Sequence, residues 1–216
     1  MRKVRSIPDA NRTLAGLSHQ GYTPQTAIAD IIDNSIAAGA TDIFVTFSNQ
    51  LDGNTEVVIG DNGCGMSISI LEQAMQIGSA AGLARSSLSV YGMGMKAASM
   101  SFTRKFTVVT RDSSGEASEA CWDLDIQDLE PWTILIDSAS AKHIKMLNDY
   151  VGEKSTGTLV IWEKADFKDV VLDHRKIRGR CRRCPALRLP AAAESRRQSH
   201  HSPCTRGSWS ASSDGS

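Results

Sequence analysis

Residues 23–39 read Thr-Pro-Gln-Thr-Ala-Ile-Ala-Asp-Ile-Ile-Asp-Asn-Ser-Ile-Ala-Ala-Gly. Thr23 followed by Pro24 has the form of an N-cap with proline at the first helical position. Gly39 supplies the stop. Ile28, Ile31, Ile32 and Ile36 fall within roughly 140° of helical arc, so residues 25–38 are predicted to form a helix with one apolar stripe. Asp30, Asp33, Asn34 and Ala37 lie on the opposite face, and Asp30 and Asn34, four apart, project side by side. A carboxylate beside a carboxamide can hold a water and a hard cation between them. An ordinary solvated polar face would carry the same pair.

Strand signals follow the helix. Ile43, Val45 and Phe47 alternate with polar residues, and residues 56–60 are predicted as a second strand beyond a turn at 52–54. Residues 67–77 are predicted as helix, 78–95 as a long mobile loop rich in Gly, Ala and Ser, and 94–102 as another helix. Residues 106–109 and 120–124 flank a turn at 112–115 and read as a hairpin. Further strands are expected at 133–136 and 158–162, with a helix near 141–151 between them. Hairpins alternating irregularly with helices predict an α+β fold, a two-layer sandwich in which helices cover one sheet.

Charge divides the chain. Residues 1–173 carry 14 Lys+Arg against 22 Asp+Glu, whereas residues 174–216 carry 10 against 2. The second segment has only Ile177, Leu187 and Leu189 as aliphatic residues larger than alanine, with eight serines and three prolines. Such a composition cannot bury enough apolar surface to offset its ordering entropy. The expectation is therefore a folded unit over 1–173 and a disordered basic tail over 174–216. No apolar run is long enough for a membrane span, and the basic start lacks the apolar stretch of a signal peptide. Five scattered cysteines in a chain of 216 residues favour a reducing cytoplasm. Cys181, Cys184, His200 and Cys204 have spacing compatible with a small zinc site, but almost nothing apolar lies between them to pack beneath a metal. The tail's charge could instead meet nucleic acid.

Two further stretches carry chemistry. Asp61-Asn62-Gly63-Cys64-Gly65-Met66 directly follows a strand. Its carboxylate could accept from an exocyclic amine such as that of adenine, and its glycines let a ring approach the backbone. An ordinary loop with an Asx turn is the plain alternative. Tyr91-Gly92-Met93-Gly94-Met95-Lys96 enters a helix, an arrangement in which backbone amides meet phosphate and a lysine adds charge. It is neither a P-loop nor a dinucleotide fingerprint.

Together the three stretches resemble the N box and two glycine boxes of the GHKL ATPases, the superfamily of gyrase B, the ninety-kilodalton heat-shock chaperone, histidine kinases and MutL. Residues 155–162, Ser-Thr-Gly-Thr-Leu-Val-Ile-Trp, resemble its late Gly-Thr strand motif. The resemblance spans roughly residues 14–165 and is closest to the chaperone-like and MORC-like branch. It implies a Bergerat-type fold with a mixed, mainly antiparallel sheet, binding ATP and Mg²⁺. By position, Asp30 would be the general base and Asn34 the Mg²⁺ ligand. Asp61 would hold adenine, with Thr158 supporting it, often through water. Gly63, Gly65 and Met66 would line the nucleotide, Gly92 and Gly94 would be the phosphate-binding hinge of the lid, and Lys96 would reach the terminal phosphates.

Asp30 departs from the pattern, because chaperone- and MutL-type members usually have Glu there. The missing methylene sets the carboxylate back by about 1.5 Å. The expected activity is thus weak, Mg²⁺-dependent ATP hydrolysis with the nucleotide as a conformational switch, and homodimerisation could follow lid closure. A non-hydrolysing nucleotide-binding module is the first alternative. A histidine kinase catalytic domain is the second, and Lys96 and the chaperone-like N box argue against it. Nucleic acid or a protein client remain open as partners.

Overall fold

Helix α1 (Pro24–Ala37) forms where the isoleucine stripe predicts it. In the computed structural model, which describes residues 12, 13, 16, 21–50, 54–77, 94–126, 133–165 and 187–188, the start of α1 is closed by a reciprocal capping box. The Thr26 N–H donates to Thr23 Oγ1, and the Thr23 N–H donates to Thr26 Oγ1. Ala27, Ile28, Ile31 and Ile32 are buried. Gly39, at φ 75°, takes the left-handed conformation that ends the helix.

The remaining elements are β1 (Ile43–Asn49), β2 (Thr55–Asp61), α2 (Ile68–Met75), α3 (Gly94–Met100), β3 (Lys105–Arg111), β4 (Ala117–Asp123), β5 (Leu135–Ser138), α4 (Ala141–Val151), β6 (Gly157–Ala165) and β7 (Leu187–Arg188). The sheet order is β5-β4-β3-β6-β2-β1-β7. Every neighbouring pair is antiparallel except β1 with β7. The fold is an α+β sandwich with a mixed, mainly antiparallel sheet, as expected.

Strand alternation sorts side chains to two faces. Ile43, Val45, Val57, Ile59, Phe106, Val108, Val160 and Trp162 share a buried cluster with Ala27, Ile28, Ile31 and Ile32 of α1, Leu71 and Met75 of α2 and Ala98 of α3. Burying each large apolar side chain there contributes about 1.5–3 kcal/mol. Two indole N–H groups inside this layer find acceptors: Trp162 donates to Ser99 Oγ at 2.9 Å, and Trp122 to the Met75 carbonyl at 3.0 Å. On the other face Val58, Val109, Leu159 and Ile161 pack with Leu147 of α4.

Strand β5 lies two residues later than the expected 133–136, because its partners are fixed by β4. Leu135 pairs with Cys121 and Ser138 with Ser118, and the Ala139 N–H then donates to the Ala117 carbonyl. The β3–β4 turn is as predicted. Asp112 Oδ1 accepts from the Ser114 N–H and hydroxyl, and Gly115 adopts φ 85°.

Within the expected tail, Leu187 and Arg188 pair with Ile43 and Phe44. The rest of 174–216, including Cys181, Cys184, His200 and Cys204, lies outside the described residues. So do 78–93 of the expected loop, Gly92 among them. No helix among the described residues is long and apolar enough to cross a membrane.

The fold brings one end of three adjacent strands together. Asp61 closes β2, Thr158 is the second residue of β6, and Thr110 is the penultimate residue of β3. Asp61 is directly opposite Thr158, which is directly opposite Thr110. All three therefore sit on the face that α1, α2 and α3 cover.

Candidate functional site

Asp61 is 6% exposed. A carboxylate taken from water needs donors, and two are present. Ser35 Oγ of α1 donates to Oδ2 at 2.7 Å, and the Gly63 N–H donates to Oδ1 at 2.9 Å. Burial pushes this carboxyl above its ordinary value, while the Ser35 and Gly63 bonds pull the other way. Among the described residues each oxygen has one protein donor and so retains capacity to accept another.

The strand ends beside Asp61 are cross-linked. Thr110 Oγ1, fully buried, accepts from the Met66 N–H at 2.9 Å and donates to the Gly157 carbonyl at 3.1 Å. With its only proton so used, it accepts from Thr158 Oγ1 at 3.0 Å. Arg111, 5% exposed, adds three bonds behind this layer, to the Ser155 and Gly152 carbonyls and to Asn148 Oδ1. These bonds tie the approach to β6 onto the end of β3.

The glycines here also serve the protein's own packing. Gly65 has φ 66°, and a Cβ on it would collide with the Arg111 carbonyl of β3. A Cβ on Gly157 would collide with the Asp61 carbonyl. A Cβ on Gly63 would come 2.9 Å from both Ala38 Cβ and Asp61 Oδ1. Loop 62–66 thus nests between the end of α1 and the end of β3. Asn62 is a staple: its Oδ1 accepts from the Thr41 and Asp42 N–H groups at 2.9 and 2.8 Å, and its Nδ2 donates to Thr41 Oγ1 at 2.9 Å.

Along α1, one residue before Ser35, the half-buried Asn34 carboxamide has no hydrogen-bond partner among the described residues. One turn earlier is Asp30, also half-buried, whose Oδ2 accepts from the Tyr22 hydroxyl at 2.9 Å. Burial, the Asp30 hydrogen bond and the Asp30 charge push the Tyr22 hydroxyl up to about 12. A Cβ on Gly94 would sit 4.0 Å from Asp30 Oδ2, so the start of α3 faces this carboxylate without crowding it.

Lys96, expected to reach phosphates, is 3% exposed and points elsewhere. Its Nζ donates to the Ala74 carbonyl in the last turn of α2 at 2.6 Å. Burial lowers the ammonium from 10.5 to about 8. In this arrangement Lys96 joins α3 to the C-terminal end of α2, where a cation meets the negative end of the helix dipole.

Asp61, Gly63, Gly65, Met66 and Thr158 therefore form one constellation. Asp30 and Asn34 line the adjoining face of α1, Gly94 of α3 faces Asp30, and Lys96 lies apart. Ser35, Thr110 and Tyr22 do not stand out from the sequence, and Asn62 stands in the site loop without its stapling role being visible there. Ser35 directly follows Asn34, and Thr110 occupies a core-facing strand position after Val108; those were their available signals.

No curated protein matches the chain. The profile of the family described as "Histidine kinase-, DNA gyrase B-, and HSP90-like ATPase" matches residues 22–158. That stretch is more than half of the 216 residues and contains every position of the constellation. The chain belongs to this family, and residues 22–158 carry an ATP-binding domain of the GHKL type.

Proposed function

We propose that the domain hydrolyses ATP slowly, with Mg²⁺, and uses the nucleotide as a conformational switch in the manner of the chaperone-like and MORC-like branch. The observation that carries this reading is the buried Asp61 carboxylate, held by Ser35 and Gly63 with acceptor capacity to spare. An adenine amine would complete it, as a donor to a carboxylate nearly shielded from water. Thr158, across the strand pair, would support Asp61 through a water, and Gly63, Gly65 and Met66 would border the ring.

The polar face of α1 fits the other end of the nucleotide. The Asn34 carboxamide oxygen is a hard ligand of the kind Mg²⁺ accepts alongside phosphates and waters. Bound Mg²⁺ would neutralise phosphate charge. Asp30 would take the proton of the attacking water. Its shorter side chain makes the reaction slow, because misplacing a catalytic group by about 1 Å can cost ~10²-fold. Gly92 and Gly94 would hinge a lid over 78–95, whose closure would favour dimerisation. Contact of Lys96 with the terminal phosphates would require its ammonium to leave Ala74. The free thiols of Cys64 and Cys121 fit a cytoplasmic setting.

Phosphate release tests the reading. Slow release in Mg²⁺ that stops in EDTA, and falls sharply in Asp30→Ala with ATP affinity kept within a few-fold, supports it. ATP binding without any release would favour the non-hydrolysing module.

A further inference from the structure

We infer that Tyr22 is a positioning residue for Asp30: its hydroxyl fixes one oxygen of the short carboxylate and leaves the other for the attacking water. This rests on the reading of Asp30 as general base. Tyr22 immediately precedes the N-cap, and the capping box around Thr23 and Thr26 fixes the backbone from which its ring departs. The ring is half-buried and packs against the core cluster. Its hydroxyl ends 2.9 Å from Asp30 Oδ2, eight residues along the chain.

An aspartate on a helix face has two side-chain torsions to settle. The Tyr22 hydroxyl supplies a directional bond to Oδ2 and so settles which way the carboxylate faces. Oδ1 makes no hydrogen bond among the described residues. In the reaction, water would pass its proton to Oδ1 as its oxygen bonds to the terminal phosphorus, the ADP oxygen leaving with the electron pair of the broken bond. Tyr22 would keep its own proton throughout. Its contribution is aim, and such an effect appears in turnover rather than in ground-state affinity.

The test is Tyr22→Phe, which keeps the ring and removes only the donor. The inference expects kcat to fall ~10-fold by the positioning argument, with KM within twofold and the unfolding midpoint nearly unchanged. In an Asp30→Ala background the same change should lower kcat no further. In urea unfolding the two substitutions should combine less than additively, a readout that needs no turnover. Full kcat in Tyr22→Phe, or an equal loss with and without Asp30, would overturn the inference while leaving Asp30 as base. Unaltered kcat in Asp30→Ala would overturn the base assignment and this inference with it. Strict additivity in unfolding would show that the two side chains do not act on each other.

Discussion

The Ser35 hydroxyl, on the helix that carries Asp30 and Asn34, donates to Asp61 Oδ2 at 2.7 Å across 26 residues of sequence. This bond joins the two halves of the candidate site, the polar face of α1 and the end of β2. Both partners are nearly shielded from water, Ser35 at 3% and Asp61 at 6% exposure. Removing one partner of a buried carboxylate leaves the desolvation cost of the other in place.

Ser35→Ala should therefore cost about 1–3 kcal/mol of stability, and it should weaken ATP binding because Asp61 loses one of its two fixed donors. Urea unfolding and calorimetry on the same protein would check both effects. Stability and affinity equal to wild type would mean that Ser35 does not orient Asp61.

Gly157→Ala should destabilise the protein by about 1–3 kcal/mol or more, as overpacking does. The new methyl would be driven against the Asp61 carbonyl, which is backbone and cannot swing aside. Since Thr158 follows immediately, ATP affinity should fall together with the thermal midpoint. A variant that melts like wild type would show that the start of β6 has room to move.

The order of strands and helices was legible because periodicity is a local property. The isoleucine stripe gave α1, alternation gave β1, and Asp112 with Gly115 gave the hairpin turn. The register that sets Asp61 against Thr158 and Thr110 was not legible, since it depends on pairing among segments far apart in sequence. The same holds for Lys96. Its position after two spaced glycines suggested a phosphate ligand, whereas its surroundings are decided by where α2 ends in space. Asn62 and Gly65 were legible as site-loop residues, but the partners that make them necessary, Thr41, Asp42 and Arg111, come from other elements.

Asn34→Ala should remove the Mg²⁺-dependent tightening of nucleotide binding while leaving binding in EDTA nearly unchanged. The Asn34 side chain has no hydrogen-bond partner among the described residues, so its loss should alter the fold little. Titrations with and without Mg²⁺ measure the effect. A variant in which Mg²⁺ tightens binding as much as in wild type would make Asn34 a bystander.

Burial of Lys96 predicts a pH dependence whose sign follows from its lowered value. Folding lowers its ammonium from 10.5 to about 8, so between those values the unfolded chain holds the proton that the folded chain has released. Stability from this group therefore rises with pH across that window, and the gap corresponds to about 3 kcal/mol carried as a cost near neutrality. Wild type should gain stability relative to Lys96→Met as pH rises from 7 to 10, measured by urea unfolding. A difference that stays flat with pH would contradict burial of this charge.

The most direct measurement is calorimetric titration of ATP into the wild-type protein and into Asp61→Asn, with the thermal midpoint of each recorded. The amide can present a donor where the adenine amine requires an acceptor, and losing a bond to a charged group costs about 1.5–3 kcal/mol. The expected result is one ATP site in wild type and affinity at least ~10-fold weaker in Asp61→Asn, with the cooperative thermal transition retained. Equal affinity in the two proteins, or no ATP binding by folded wild type, would contradict a nucleotide site built on Asp61.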